Sequence, residues 1–121
     1  MRYKLRSFPN RPGYSESLEL LEYADTFSVV WYLYDEYYPG FEDHEYVVEG
    51  IPCGLLRDAV GESSNRGVSN YLKRFFRANI SAERFIRFLD AYGIPYTIVP
   101  DADWVPGVDD GEAFPRPTSH V

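Results

Sequence analysis

The sequence predicts a small single-domain α+β protein, with a few short strands and a three-helix unit in its second half. The chain has 121 residues, which is the size of one ordinary domain. Hydrophobic residues make up 45% of it and charged residues 26%, a composition typical of a globular protein with a buried core. We therefore assign residues 1–100 to one globular domain and residues 101–121 to an acidic tail rich in proline and glycine.

The first half of the chain contains one clear strand and one ambiguous stretch. Residues 2–8 alternate loosely and end before the turn signal Pro12-Gly13, which predicts a short strand. Between residues 26 and 38 the sequence TFSVVWYLYDEYY favours a strand by composition, although its apolar residues also fit one face of a helix. Both interpretations stay open, and we favour a helix from about residue 16 to residue 38. A short extended piece is expected at residues 46–48.

The second half predicts three helices, near residues 53–60, 66–77 and 81–92. Apolar residues recur at helical spacing in each of them, and Gly61 and Gly93 are suited to end the first and the third. A last short strand is expected at residues 95–99. Residues 107–121 offer few apolar groups and are expected to contribute little to stability. The helices should pack through Leu56, Val60, Val68, Leu72, Phe85 and Leu89.

The charge of the chain is unevenly distributed. The net charge is −7, yet the segment from Arg57 to Arg87 holds seven basic and only three acidic residues. Such an asymmetry indicates a basic surface on an acidic body. Solvated helix surfaces give the same pattern, so charge alone does not identify a partner.

Residues 51–94 carry the most informative pattern. A short helix ends at Gly61, a polar turn follows, a second helix contains Val68-Ser69-Asn70, and a third begins at Ser81. This arrangement resembles the second to fourth helices of lambda-repressor-like helix-turn-helix domains. The turn is one residue longer than is usual in that family.

The resemblance implies a DNA-binding transcriptional regulator of phage or mobile-element type, acting as a homodimer on double-stranded DNA. Asn and Arg side chains can contact base edges, while Ser and Lys side chains mainly contact phosphates. Arg77 lies off the apolar face of the second helix and is therefore also expected to contact DNA. If the resemblance fails, the three helices are the scaffold of an α+β domain. The residues expected at DNA are Ser64, Asn65, Arg66, Ser69, Asn70, Lys73, Arg74 and Arg77.

An acidic, tyrosine-rich segment supports a second hypothesis. Acidic surfaces steer basic partners, and aromatic side chains anchor protein interfaces. This alternative predicts an acidic protein-binding inhibitor, such as an immunity protein or an anti-defence factor of anti-CRISPR type, that neutralises a nuclease or another basic protein. A solvated loop beside core tyrosines would explain the same residues. The residues concerned are Tyr37, Tyr38, Glu42, Asp43 and Glu45.

Enzymatic chemistry is not expected, and neither is a metal or another cofactor. One cysteine and two histidines leave little material for a nucleophile–base pair, and because Glu42, Asp43, His44 and Glu45 are consecutive, their side chains are expected to diverge rather than converge on one metal. Cys53 is interpreted as a packed small residue rather than a reactive thiol. No apolar run has the roughly 18 residues of a membrane span, and the first residues lack a secretory signal, so a cytoplasmic protein is expected.

Overall fold

The computed structural model describes residues 1–37, 43–101 and 104–118. Its strands form one antiparallel sheet in the order β1-β2-β3-β4-β5, and the helices all lie between β4 and β5 along the chain. Each strand therefore pairs with its neighbour in sequence. The elements are β1 (Arg2–Arg6), β2 (Tyr14–Tyr23), β3 (Thr26–Asp35), β4 (Asp43–Pro52), α1 (Cys53–Val60), α2 (Asn65–Phe75), α3 (Ala82–Ala91) and β5 (Thr97–Val99).

The predicted α+β class agrees with this architecture, but the predicted helix-turn-helix unit over residues 51–94 is wrong. Residues 51–52 are the end of β4. The buried residues of the three helices belong to one hydrophobic core with those of the sheet, so the helices do not form an independent unit. The second helix contacts the edge strand β1 as well as α1. Its buried residues are Gly67, Val68, Ser69, Tyr71, Leu72 and Phe75.

The helix that we favoured from residue 16 to residue 38 is also wrong. Residues 14–35 form a long hairpin in which β2 and β3 pair along their whole length. The turn between them contains Ala24, whose φ of 53° lies in the left-handed region. In this hairpin Phe27, Val29 and Trp31 are buried on the helix side of the sheet, as the two-residue period of a strand requires. Residues 46–48, expected as a short extended piece, lie within the longer β4.

The three predicted helices are confirmed in position, as are the short strand at the amino end and β5. Gly61 follows α1 with a φ of 73°, and the Ser81 hydroxyl accepts a hydrogen bond from the Arg84 N–H at the start of α3. These are the expected helix-ending and helix-starting devices. All six apolar residues through which the helices were expected to pack are fully buried, namely Leu56, Val60, Val68, Leu72, Phe85 and Leu89.

Trp31 joins the sheet to the helices at the centre of the core. Its ring meets the rings of Tyr46 and Phe76 edge-on, at centroid distances of 5.8 and 5.7 Å. Its indole Nε1 donates a hydrogen bond to the carbonyl oxygen of Ile80, at 2.7 Å, in the connection between α2 and α3. A buried indole N–H needs such a partner, so this bond fixes where the helical layer sits on the sheet.

The segment 104–118 has no helix and no regular strand, but it is bound to the helices rather than free. The Phe114 ring lies 5.2 Å from the ring of Phe88 and 5.8 Å from that of Phe75. The backbone N–H of Thr118 donates to the carbonyl oxygen of Val60, at 2.9 Å. These contacts lead us to expect a substantial contribution to stability, contrary to what the composition of residues 107–121 suggested.

Because of Tyr71, the free energy of unfolding is expected to fall at alkaline pH. Burial raises the pKa of its hydroxyl to about 12, while an unfolded tyrosine titrates near 10. Between about pH 10 and pH 12 the unfolded chain has lost this proton and the folded chain keeps it, so the free energy of unfolding falls as the pH rises. We expect Tyr71→Phe to make that fall less steep.

Urea unfolding at about pH 9.5 and about pH 11.5 measures this effect. Tyr14, whose pKa is also raised to about 12 by partial burial and by Glu16, contributes to the fall that remains in the variant, as do Tyr32, Tyr46 and Tyr96, whose pKa values are raised as well. The matched control is Tyr23→Phe, because Tyr23 is 84% exposed. This substitution should leave the fall in the free energy of unfolding with pH as it is in the wild type. An unchanged slope for Tyr71→Phe contradicts the prediction.

Candidate functional site

One face of the sheet is covered by the helices, and no described element covers the other, which we call the outer face. Residues that pair across strands lie on the same face, so the outer face can be read from the register. Across the middle of the sheet run Glu19, Val30, Val47 and Val99, each paired with the next. The other residues of the face on β2–β5 are Ser15, Ser17, Leu21, Tyr23, Thr26, Ser28, Tyr32, Tyr34, Asp43, Glu45, Glu49, Pro52 and Thr97.

Beside this valine row, tyrosines of β3 pair with acidic residues of β4. Tyr32 pairs with Glu45, and Tyr34 pairs with Asp43. The pKa of Tyr32 is raised by partial burial first, and then by the charge of Asp43 and a hydrogen bond to it. The two tyrosines are only partly covered. The outer face therefore offers aromatic rings, aliphatic groups and carboxylates side by side.

The charges on the outer face are separated. Asp43, Glu45 and Glu49 are exposed on β4, and within the described parts of β3, β4 and β5 no lysine or arginine accompanies them. The cations of this face lie on β1, where Arg2 and Lys4 pair with Leu21 and Glu19, and Arg2 forms an ion pair of 2.9 Å with Glu19. The β3–β5 half of the outer face is therefore acidic.

The acidic, tyrosine-rich hypothesis named residues that the structure only partly brings together. Asp43 and Glu45 lie on the outer face, whereas Tyr37 is exposed in the turn after β3, with its N–H bonded to the Asp35 carboxylate at 3.0 Å. Tyr38 and Glu42 lie outside the described residues. His44, between the two acids, points to the helix side and forms a 3.0 Å hydrogen bond with Asp101.

Sequence reasoning missed the aliphatic part of the outer face. Val30, Val47 and Val99 were not singled out, because their common face appears only once the strand register is known. The signal that could have found Val30 is the alternation with Tyr32 and Tyr34, which becomes visible if residues 26–35 are read as a strand.

Three of the residues expected at DNA are engaged within the protein. The Ser64 hydroxyl caps α2 by accepting a hydrogen bond from the Gly67 N–H, at 3.0 Å. The Asn65 amide is held between Arg57 and Glu22, at 2.6 Å from each. Ser69 is buried, and its hydroxyl donates to the carbonyl oxygen of Arg66.

The other residues expected at DNA are exposed and form a single stripe. Four lie on α2 and one lies two residues after its end. Each has another member of the set three or four residues away, which places them along one side of the helix. The guanidinium of Arg74 lies over the Tyr71 ring, 5.2 Å from its centroid. The stripe consists of Arg66, Asn70, Lys73, Arg74 and Arg77.

Cys53 is buried at the start of α1, and burial raises the pKa of its thiol. This is the environment of a packed residue and not of a reactive thiolate. Among the residues that the structure describes, no three His, Cys, Asp or Glu side chains are grouped so as to hold a metal ion.

No protein-family model, curated protein or solved structure matches this chain. Within the described residues, none of the helices has the length and apolar character needed to cross a bilayer.

Proposed function

We propose that this protein is a protein-binding module that docks a basic partner protein on the outer face of its sheet. The observation that carries the proposal is the uncovered face on which the exposed carboxylates of β4 lie beside partly exposed tyrosines and valines. Protein interfaces have an apolar, aromatic centre and a polar rim, and Tyr32, Val30 and Val47 have that central position. The acids of β4 would steer a basic partner to it.

The size of the outer face fits such a role. The strands β2, β3 and β4 have ten residues each. With about 3.3 Å per residue and about 4.8 Å between strands, the sheet offers a flat area of about 500 Å². This is of the same order as the roughly 800 Å² that each partner buries in a standard interface.

In its more particular form, the proposal is that the protein inhibits its partner. A basic protein whose cationic surface binds a polyanion, such as a nuclease, is neutralised when an acidic protein occupies that surface. This is the hypothesis drawn above from the acidic, tyrosine-rich segment, in which the protein acts as an immunity protein or an anti-defence factor. The transcriptional-regulator hypothesis is not carried forward, because it depended on a helix-turn-helix unit that the fold does not contain.

A photo-crosslinking amino acid at Val47, compared with one at Asn70 on the helix side, tests the docking face in cells that produce the protein. We expect a basic protein to be crosslinked from position 47 and not from position 70. Crosslinks from position 70 alone, or from position 47 to a second copy of this chain, would contradict the proposal, the latter in favour of a homodimer.

The crosslinked partner, once purified, allows a quantitative test by calorimetry. We expect Glu45→Lys to weaken binding at least about tenfold, because it reverses a charge at the interface, and Tyr32→Ala to weaken it similarly by removing an anchor. The matched control is Asp58→Lys, an equal charge reversal at an exposed position of α1. Equal losses for Glu45→Lys and Asp58→Lys would show only an effect of net charge, and the docking face would be rejected.

A further inference from the structure

The exposed stripe of α2 continues onto the edge strand β1 and forms a second charged surface, remote from the acidic half of the outer face. A groove of about 390 Å³ separates β1 from α2, and Lys4, Arg6 and Lys73 line it. We call these three residues, together with Arg66, Arg74 and Arg77, the basic surface. It lies at the β1 side of the molecule, whereas Asp43, Glu45 and Glu49 lie on β4.

The cations of the basic surface are not neutralised by the protein. Within residues 1–37, 43–101 and 104–118, ion pairs are formed by Arg2, His44 and Arg87, and by no member of the basic surface. Arg6 is the most engaged of the set: its Nη1 donates to the carbonyl oxygen of Phe76, at 3.3 Å, and its guanidinium lies over the Phe8 ring. The others keep their charge available to a ligand.

The shape of the basic surface fits a linear polyanion. Arg66 and Arg74 are eight residues apart on α2, which corresponds to about 12 Å along the helix axis, and Arg77 extends the row beyond the end of the helix. One phosphate group cannot contact cations that far apart, whereas a nucleic-acid duplex presents a negative charge about every 1.7 Å of its axis. Guanidinium groups bind phosphate oxygens in a bidentate manner.

The composition of the stripe favours nucleic acid over an acidic protein. The large hydrophobic residues that are exposed in the described structure include none from α2, so the basic surface lacks the apolar centre of a protein interface. Of the polar residues expected at DNA, Ser64, Asn65 and Ser69 are held by hydrogen bonds within the protein, which leaves Asn70 as the one exposed amide of the stripe. Contacts to phosphates alone carry no sequence information.

We propose that the basic surface binds the phosphate backbone of a nucleic-acid duplex without sequence preference. This site lies at the opposite edge of the sheet from the acidic residues of β4, with Lys4 paired to Glu19 at the β1 edge of the outer face, and it does not depend on the function proposed for that face. It also differs from a helix-turn-helix mode of binding, since no helix is required to enter the major groove.

Fluorescence anisotropy with two labelled DNA duplexes of unrelated sequence tests the proposal. We expect equal affinity for both duplexes, and about a hundredfold loss of affinity between about 50 and about 200 mM salt if four cations each displace one counterion. Lys73→Gln and Arg77→Gln should each reduce the slope of log affinity against log salt by about one.

The matched control is Arg11→Gln. Arg11 is exposed beside Asp35 and Tyr37, in the loop between β1 and β2, and its removal should leave the slope unchanged. Absence of binding at the lower salt concentration overturns the proposal, and so does a loss for Arg11→Gln equal to that for Arg77→Gln. Polyglutamate that displaces the duplex at an equal concentration of charges overturns it in favour of an acidic protein ligand.

Discussion

Replacement of Arg84 by methionine is expected to lower the free energy of unfolding by about 3–5 kcal/mol, because several buried hydrogen bonds to a charged donor are lost together. Arg84 is 2% exposed. Its Nη1 donates to the Phe75 carbonyl oxygen at 2.6 Å and its Nη2 to that of Ala113 at 2.7 Å. Methionine fills much of the same space but leaves both carbonyl oxygens without a donor.

Urea unfolding monitored by circular dichroism measures this loss. Arg77→Met is the matched control, because Arg77 is exposed just after α2 and its replacement should change the free energy of unfolding by less than about 0.5 kcal/mol. If Arg84→Met costs no more than Arg77→Met, the guanidinium does not hold the C-terminal segment to the helices.

A chain that ends at Asp109 is expected to lose a similar amount, about 3–5 kcal/mol, with a fall in Tm of about 15–25 °C. The truncation removes the carbonyl oxygen of Ala113 that accepts from Arg84, and it uncovers Phe75 and Phe88 by removing Phe114. It also removes the Pro115 carbonyl oxygen, to which the Tyr71 hydroxyl donates at 2.7 Å.

Differential scanning calorimetry compares this chain with one that ends at Thr118, which retains every contact just named. The longer of the two truncated chains should melt within a few degrees of the full-length protein. Equal Tm values for the two truncated chains would support the expectation from composition alone, that residues 107–121 contribute little to stability.

The helices of this fold were predictable because their signals are local. The i, i+3, i+4 spacing of apolar residues, the serine caps and the glycines after α1 and α3 all act within one or two helical turns. The β2–β3 hairpin lacked such signals. Its turn uses Ala24 and Asp25 where a hairpin turn favours asparagine and glycine, and Leu21 and Val30 place apolar groups on the outer face, which weakens the alternation of a strand.

The candidate sites were less predictable, because they combine residues from different elements. Lys4 joins Lys73 only because α2 packs against β1, and Val47 joins Val30 only through the register of β3 and β4. The role of Arg84 was hidden for a related reason. In the sequence it is one of seven basic residues between Arg57 and Arg87, and only tertiary contacts distinguish it as the buried one.

The order of the elements along the chain also has a kinetic consequence. Pairing between β1, β2, β3 and β4 joins neighbours in sequence, so loop closure costs little entropy and the meander is available early in folding. The bond from Trp31 to Ile80 spans 49 residues, and the pairing of β4 with β5 must await all three helices. During synthesis the apolar side of the meander therefore emerges from the ribosome before the helices that shield it, and this nascent half-protein is the species most exposed to aggregation or to capture by chaperones.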